Sequence, residues 1–214
     1  MRPAPPGAGF AVLDLDDTLV ATAEASFAAW VAATGRLGLD PPGRDQFTAG
    51  YRDLPFRACV ERWYGPAVDF GEFSAFYWDA VHYGPIGDVT GLVRGLRERG
   101  AGAGIVTNST GPEAGRKLAS AGIPAELFDF VAGRPEGADG PAPDKDLVRI
   151  LAERRIDPAT AVHVSDNPVD HAPSVRAGLP FRGVLTGVYT RADFAAAGVP
   201  EADVHADVHA ALSS

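Results

Sequence analysis

Asp14, Asp16 and Asp17, followed by Thr18, place three carboxylates within four positions. Carboxylates so close repel one another, and the group needs a cation, a proton or both to be stable. At the end of a twisted strand, alternate residues such as Asp14 and Asp16 project in related directions and can share one site. A second acidic segment, Ser165-Asp166-Asn167-Pro168-Val169-Asp170, adds Asp166 and Asp170. Carboxylates together with a backbone carbonyl and water are the ligands that hard Mg²⁺ prefers. Between the two acidic segments lies Thr107-Asn108-Ser109, whose hydroxyl and amides suit a phosphate oxygen. A helix starting near Pro112 would add its electropositive N-terminus. The plain alternative is an acidic turn before a helix, with Asp and Thr as ordinary N-caps.

All three segments follow short apolar runs. Phe10 to Leu13, Gly104 to Val106, Leu127 to Val131, Ala161 to Val164 and Phe181 to Leu185 have the length and composition of buried parallel strands. Amphipathic stretches alternate with them: Val89 to Arg99, Pro112 to Ser120, Asp144 to Arg154 and Val169 to Ala177. This alternation predicts an α/β fold with a doubly wound parallel sheet, whose ligands sit at the carboxyl ends of the strands. One stretch, Ala21 to about Tyr83, breaks the pattern and reads as all-helical. Its apolar stripes are Phe27/Trp30/Val31/Thr34, Phe56/Cys59/Val60/Trp63 and Phe73/Phe76/Tyr77/Ala80. The predicted organisation is a core over 1–20 and 84–214, with a helical insertion over 21–83. Gly84-Pro85-Ile86-Gly87 looks like the hinge between them.

In this order and spacing the three segments resemble the haloacid dehalogenase superfamily over nearly the whole chain. The likeness points to its phosphoglycolate-phosphatase-like branch, in which a helical cap follows the first motif. It implies a Rossmann-like core, Mg²⁺ as cofactor and a small phosphorylated metabolite, such as a sugar, polyol or nucleoside phosphate, as substrate. It also implies roles: Asp14 as nucleophile, Asp16 as general acid and base, Thr107 and Asn108 as phosphate binders. Asp14, the Asp16 backbone carbonyl, Asp166 and Asp170 would surround the metal. Asp16 argues against halide displacement, which needs no proton for the leaving group. A phosphonate-cleaving branch uses a cap lysine, and residues 21–83 contain none. The family's lysine before a Pro-x-Pro segment is absent, because Gly140 precedes Pro141-Ala142-Pro143. Lys145, expected in the first turn of the next helix, and Arg134 are the candidate substitutes. Without a substitute the chain would be a weakened enzyme or a ligand-binding relative. A phosphomutase of the same architecture is the other alternative.

Arg52 and Arg57, beside a helix expected to start near Asp53, could grip an anionic substrate group or simply lie on a solvated face. Tyr51 carries the same ambiguity. His205 and His209 have the i, i+4 spacing of a metal pair, but no third ligand is near and the segment reads as a surface helix. His163, inside a predicted strand, reads as a core residue. A net charge of -9 disfavours nucleic acid and anionic membranes as partners. The single cysteine, Cys59, excludes an internal disulfide. The first nine residues have no apolar run that would act as a signal or a span, so a cytoplasmic location is expected.

Overall fold

A computed structural model describes residues 9–54, 56–135 and 145–213. Gly140 and its Pro-x-Pro segment, most of the Gly133 to Pro143 tip and the first eight residues lie outside them. The chain begins with β1 (Phe10–Leu13) and β2 (Val20–Ala21), then helices α1 (Thr22–Arg36), α2 (Arg44–Asp53), α3 (Phe56–Tyr64) and α4 (Phe70–Ala80). After β3 (Gly84–Pro85) strands and helices alternate: α5 (Val89–Glu98), β4 (Gly102–Thr110), α6 (Gly111–Ser120), β5 (Val131–Arg134), α7 (Leu147–Arg154) and β6 (Ala161–Ser165). The rest is α8 (His171–Arg176), β7 (Phe181–Val184), α9 (Arg191–Ala196), β8 (Val204–His205) and α10 (Val208–Ser213).

Six strands form one sheet in the order β5-β4-β1-β6-β7-β8, and every neighbouring pair is parallel. β1 shows why these runs are apolar throughout. Ala11 and Leu13 pack under α5, α6 and α10, while Val12 faces the opposite cluster with α7. A strand covered on both faces has no polar side to show. After β1 the chain moves outward through β4 and β5, then crosses back to β6 on the other flank of β1. That reversal is the topological switch point where an open α/β sheet leaves a crevice for ligands. The helical unit has its own apolar cluster centred on Trp30, which is 3% exposed. Its ring meets Phe47, Phe56, Trp63, Phe73 and Tyr77 at centroid distances of 4.8 to 6.2 Å.

Several expectations shift. The strand expected over Leu127 to Val131 begins only at Val131, because Pro124 opens a short 3-10 turn over Ala125–Leu127. Asp144 lies outside the described residues. The helix there starts at Leu147, capped by Asp146, whose carboxylate accepts from the Arg149 amide at 3.1 Å. Lys145 therefore precedes the helix and is not in its first turn. Val31 is exposed, and Ala29 and Ala33 pack inward beside Trp30 instead. α2 had no clear stripe of its own, yet Phe47 joins the cluster. The stretch expected to be free of strands is bounded by two short ones: β2 and β3 pair antiparallel where the chain leaves and re-enters the core. His205 ends β8 while His209 lies in α10, so the two are not on one helix.

Candidate active site

Because β4, β1 and β6 are adjacent, their carboxyl ends bring the three polar segments together. Asp14 extends β1 by one bond, its amide donating to the Val164 carbonyl at 2.9 Å. The residue is 6% exposed and lines a cavity of about 130 Å³ together with Asp16, Asn108, Lys145 and Asp166. Lys145 Nζ lies 2.8 Å from Asp14 Oδ1 and 2.6 Å from Asp170 Oδ2, with its side chain 3% exposed. Burial disfavours the ammonium, but the two carboxylates outweigh it and hold the lysine above its ordinary pKa. Burial pushes Asp14 up to about 6; Lys145 opposes the rise, and the charges of Asp170 and Asp16 add to it. For Asp170 burial also acts upward, but Lys145 and the Ser165 hydroxyl at 2.6 Å prevail and its pKa is lowered.

Asp166 sits where β6 ends. Its amide donates to Thr18 Oγ1 at 2.9 Å, tying the first and last acidic segments together. Burial, then the charges of Asp14 and Asp17, hold its carboxyl well above the usual range. A crowd of this kind calls for a cation. The Asp166 carboxylate also leans against Gly187, where an added Cβ would stand 1.9 Å from Oδ2. Asp170 is placed differently: its Oδ2 is engaged by Lys145 and Ser165, and it is not among the residues that line the cavity. Among the described residues no three acidic, His or Cys side chains form a ready-made cage. Asp14, Asp166 and the Asp16 carbonyl, completed by water, nonetheless fit the oxygen set of Mg²⁺.

Asp16 faces the other way, towards β4 and α6. Its carboxylate accepts from Ser109 Oγ and Thr22 Oγ1, both at 2.8 Å, from Thr107 Oγ1 at 3.4 Å, and pairs with Lys117. Burial favours the acid form, but Lys117 and these hydroxyls outweigh it and hold the pKa below the ordinary value. Thr107 thus serves Asp16, and Asn108 is the residue of that segment that lines the cavity. Asp17 has φ 53°, the left-handed region where glycine is at ease. Its carboxylate is kept there by the Thr22 and Ala23 amides at 2.8 Å, which it caps at the start of α1, and by Tyr51 Oη at 3.0 Å. Burial still raises Asp17 to about 6.

Sequence reasoning did not single out Lys117, Ser109 or Ser165. One signal was available: Lys117 and Lys145 are the only lysines in an arginine-rich chain. A compact ammonium with three rotatable donors can reach two buried carboxylates at once. Of the two arginines, Arg52 lies in the last turn of α2 and lines the cavity, donating to the Val188 carbonyl and to Asp193 Oδ2 at 3.0 Å. Arg57 lies in α3, exposed and paired with Glu61 at 2.8 Å, and is not brought to the site. A helix beginning near Asp53 would have kept the two arginines together, but the chain breaks between α2 and α3 and separates them. Arg134 lines a neighbouring larger cavity and not the one holding Asp14. His163 is fully buried, with Nδ1 2.7 Å from Ser174 Oγ, and belongs to the core as expected.

A family model described as haloacid dehalogenase-like hydrolase matches residues 11–184. The chain belongs to this family of hydrolases. No curated protein matches the hydrolase in sequence. Solved structures share its fold at low identity. A Clostridium difficile protein assigned as a phosphatase has a TM-score of 0.75 at 15% identity, over 96% of this chain and 97% of that one. A Thermotoga maritima protein assigned as a beta-phosphoglucomutase also has a TM-score of 0.75 at 15% identity, over 93% and 94%. A haloacid dehalogenase-like hydrolase from Streptococcus pneumoniae gives 0.72 at 16% identity, over 98% and 99%. Among the described residues of the hydrolase no helix is long and apolar enough to cross a membrane.

Proposed function

We propose that the hydrolase is a Mg²⁺-dependent phosphatase of a small phosphorylated metabolite, working through an aspartyl phosphate on Asp14. The observation that carries this reading is the Lys145 ammonium 2.8 Å from Asp14, in the wall of a cavity that Asp166 and Asp16 share. Lys145 then supplies the positive charge whose usual bearer is missing at Gly140. This favours turnover over a role in ligand binding alone.

In the first displacement an Asp14 oxygen attacks phosphorus, the bond from phosphorus to the ester oxygen breaks, and the leaving alkoxide takes a proton from Asp16. In the second, water attacks the aspartyl phosphate, Asp16 accepts the proton of that water, and phosphate leaves with Asp14 restored. Asp16 rests as a carboxylate beside Lys117, the form that the second step uses. The first step needs its protonated form, and the negative charge of an arriving phosphate raises its proton affinity. Bound Mg²⁺, held by Asp14, Asp166 and the Asp16 carbonyl, would neutralise charge on the phosphoryl oxygens. Asn108 and the Lys145 ammonium orient those oxygens, and Arg52 closes the rim from the helical unit, which acts as a cap.

The test measures free phosphate from a panel of monoesters with Mg²⁺ and with chelator. Release that disappears with chelator and in Asp14→Asn supports the mechanism. Release that survives both refutes it. Transfer that requires a bisphosphate activator and returns the phosphoryl group to substrate would instead mark a phosphomutase.

A further inference from the structure

A second cavity, of about 400 Å³, opens beside the one that holds Asp14, and the two share Asp16, Tyr51 and Asn108 in their walls. Asp16, the proposed proton donor to the leaving group, therefore stands at their junction. An ester whose phosphate occupies the smaller cavity would direct its alcohol part into the larger one. The two sides of that larger space differ in character. Among the described residues its charged lining, Asp16, Glu113, Lys117 and Arg134, comes entirely from the sheet side. The helical side presents uncharged groups, chiefly the rings of Trp30, Phe47, Phe56, Trp63 and Trp78.

Hydroxyls on that helical side already have protein partners. Tyr77 Oη donates to Ser26 Oγ at 2.9 Å, and Thr22 Oγ1 donates to Asp16 at 2.8 Å. On the sheet side Glu113 Oε2 accepts from the Thr110 amide and hydroxyl, at 2.8 and 2.9 Å. A polyol or sugar would bring several hydroxyls into a wall of rings with few open partners, and desolvating them without replacement is costly. A flat apolar group loses nothing by leaving water and gains ring contacts on several sides.

Resting on the phosphatase reading above, we infer that the preferred substrates are phosphate monoesters of apolar, ring-bearing alcohols, with the ring system held in the cap cavity. The test compares esters of unactivated primary alcohols, so that leaving-group reactivity does not decide the outcome: 2-(1-naphthyl)ethyl phosphate, ethyl phosphate and glycerol 1-phosphate, with Mg²⁺. The expected kcat/KM is about 100-fold higher for the naphthylethyl ester, a size that burial of one ring system supports. Trp78→Ala should narrow that ratio about tenfold. Equal or lower kcat/KM for the naphthylethyl ester overturns the inference and leaves the phosphatase reading standing. Binding of the same esters to Asp14→Asn with Mg²⁺, followed by calorimetry, reads the preference without turnover. If no ester is hydrolysed, the phosphatase reading falls, and tighter binding of the naphthylethyl ester there still supports the cavity assignment. The absence of any preference in that titration overturns it.

Discussion

Replacing Lys145 with methionine keeps most of the side-chain volume and removes one charge from a buried triad. Asp14 and Asp170, 2.8 and 2.6 Å from Nζ, would then face each other without a counter-charge in a site where the lysine is only 3% exposed. Removing one member of a buried ion pair costs roughly 3 to 5 kcal/mol, because the partners remain desolvated. At about 2 to 4 °C per kcal/mol for a domain of this size, the melting temperature should fall by roughly 6 to 20 °C at pH 7. Catalysis should suffer separately. Loss of one preorganised electrostatic donor lowers the rate about 10²- to 10³-fold, and Asp14, already at about 6, would bind its proton more tightly still. The assay is kcat and KM for phosphate release at saturating Mg²⁺, well below the melting point of the variant, alongside thermal melts. Lys145→Arg keeps the charge and tests the role of shape, since a larger planar fork replaces a compact ammonium. Wild-type turnover in Lys145→Met would refute the assignment of Lys145 as the missing charge. An unchanged melting temperature would refute the account of the triad.

Three other predictions concern different layers of the molecule. Gly187→Ala drives a Cβ to 1.9 Å from Asp166 Oδ2, so the carboxylate must move; half-maximal activity should need about 10- to 100-fold more Mg²⁺, read by metal titration. His163 has its pKa lowered to about 4, first by burial, against 6.5 when unfolded. As pH falls from 6.5 towards 4 only the unfolded chain takes up this proton. Stability is therefore lost in that window, by about 2.5 kcal/mol at pH 4.5, and urea melts of His163→Phe should lack this component. Trp30→Ala removes the ring around which the apolar cluster of the helical unit is built. It should cost roughly 3 to 5 kcal/mol in the stability of the helical unit, measured by hydrogen exchange across α1 to α4.

The sequence by itself determined the alternation of apolar runs and amphipathic helices, hence the parallel sheet and the edge at which Asp14, Thr107 and Asp166 would gather. β1 and β6 were legible almost to the residue because a strand buried on both faces must be apolar along its whole length. The helical insertion was legible from its stripes, although α2 and the split between Arg52 and Arg57 were not. Local pattern could not tell the strand at Val131 from the turn before it, since the turn is apolar as well, with Phe128 and Phe130 buried and Leu127 partly so. Tertiary structure alone decided which cations meet which carboxylates. Lys145 and Lys117 are separated from Asp14 and Asp16 by more than a hundred positions, a range over which only the order of strands sets proximity. Asp170 shows the consequence: it stands in the motif expected to supply metal ligands, and packing sets its Oδ2 2.6 Å from the Lys145 ammonium. Spacing names the groups that can react, and packing assigns their partners.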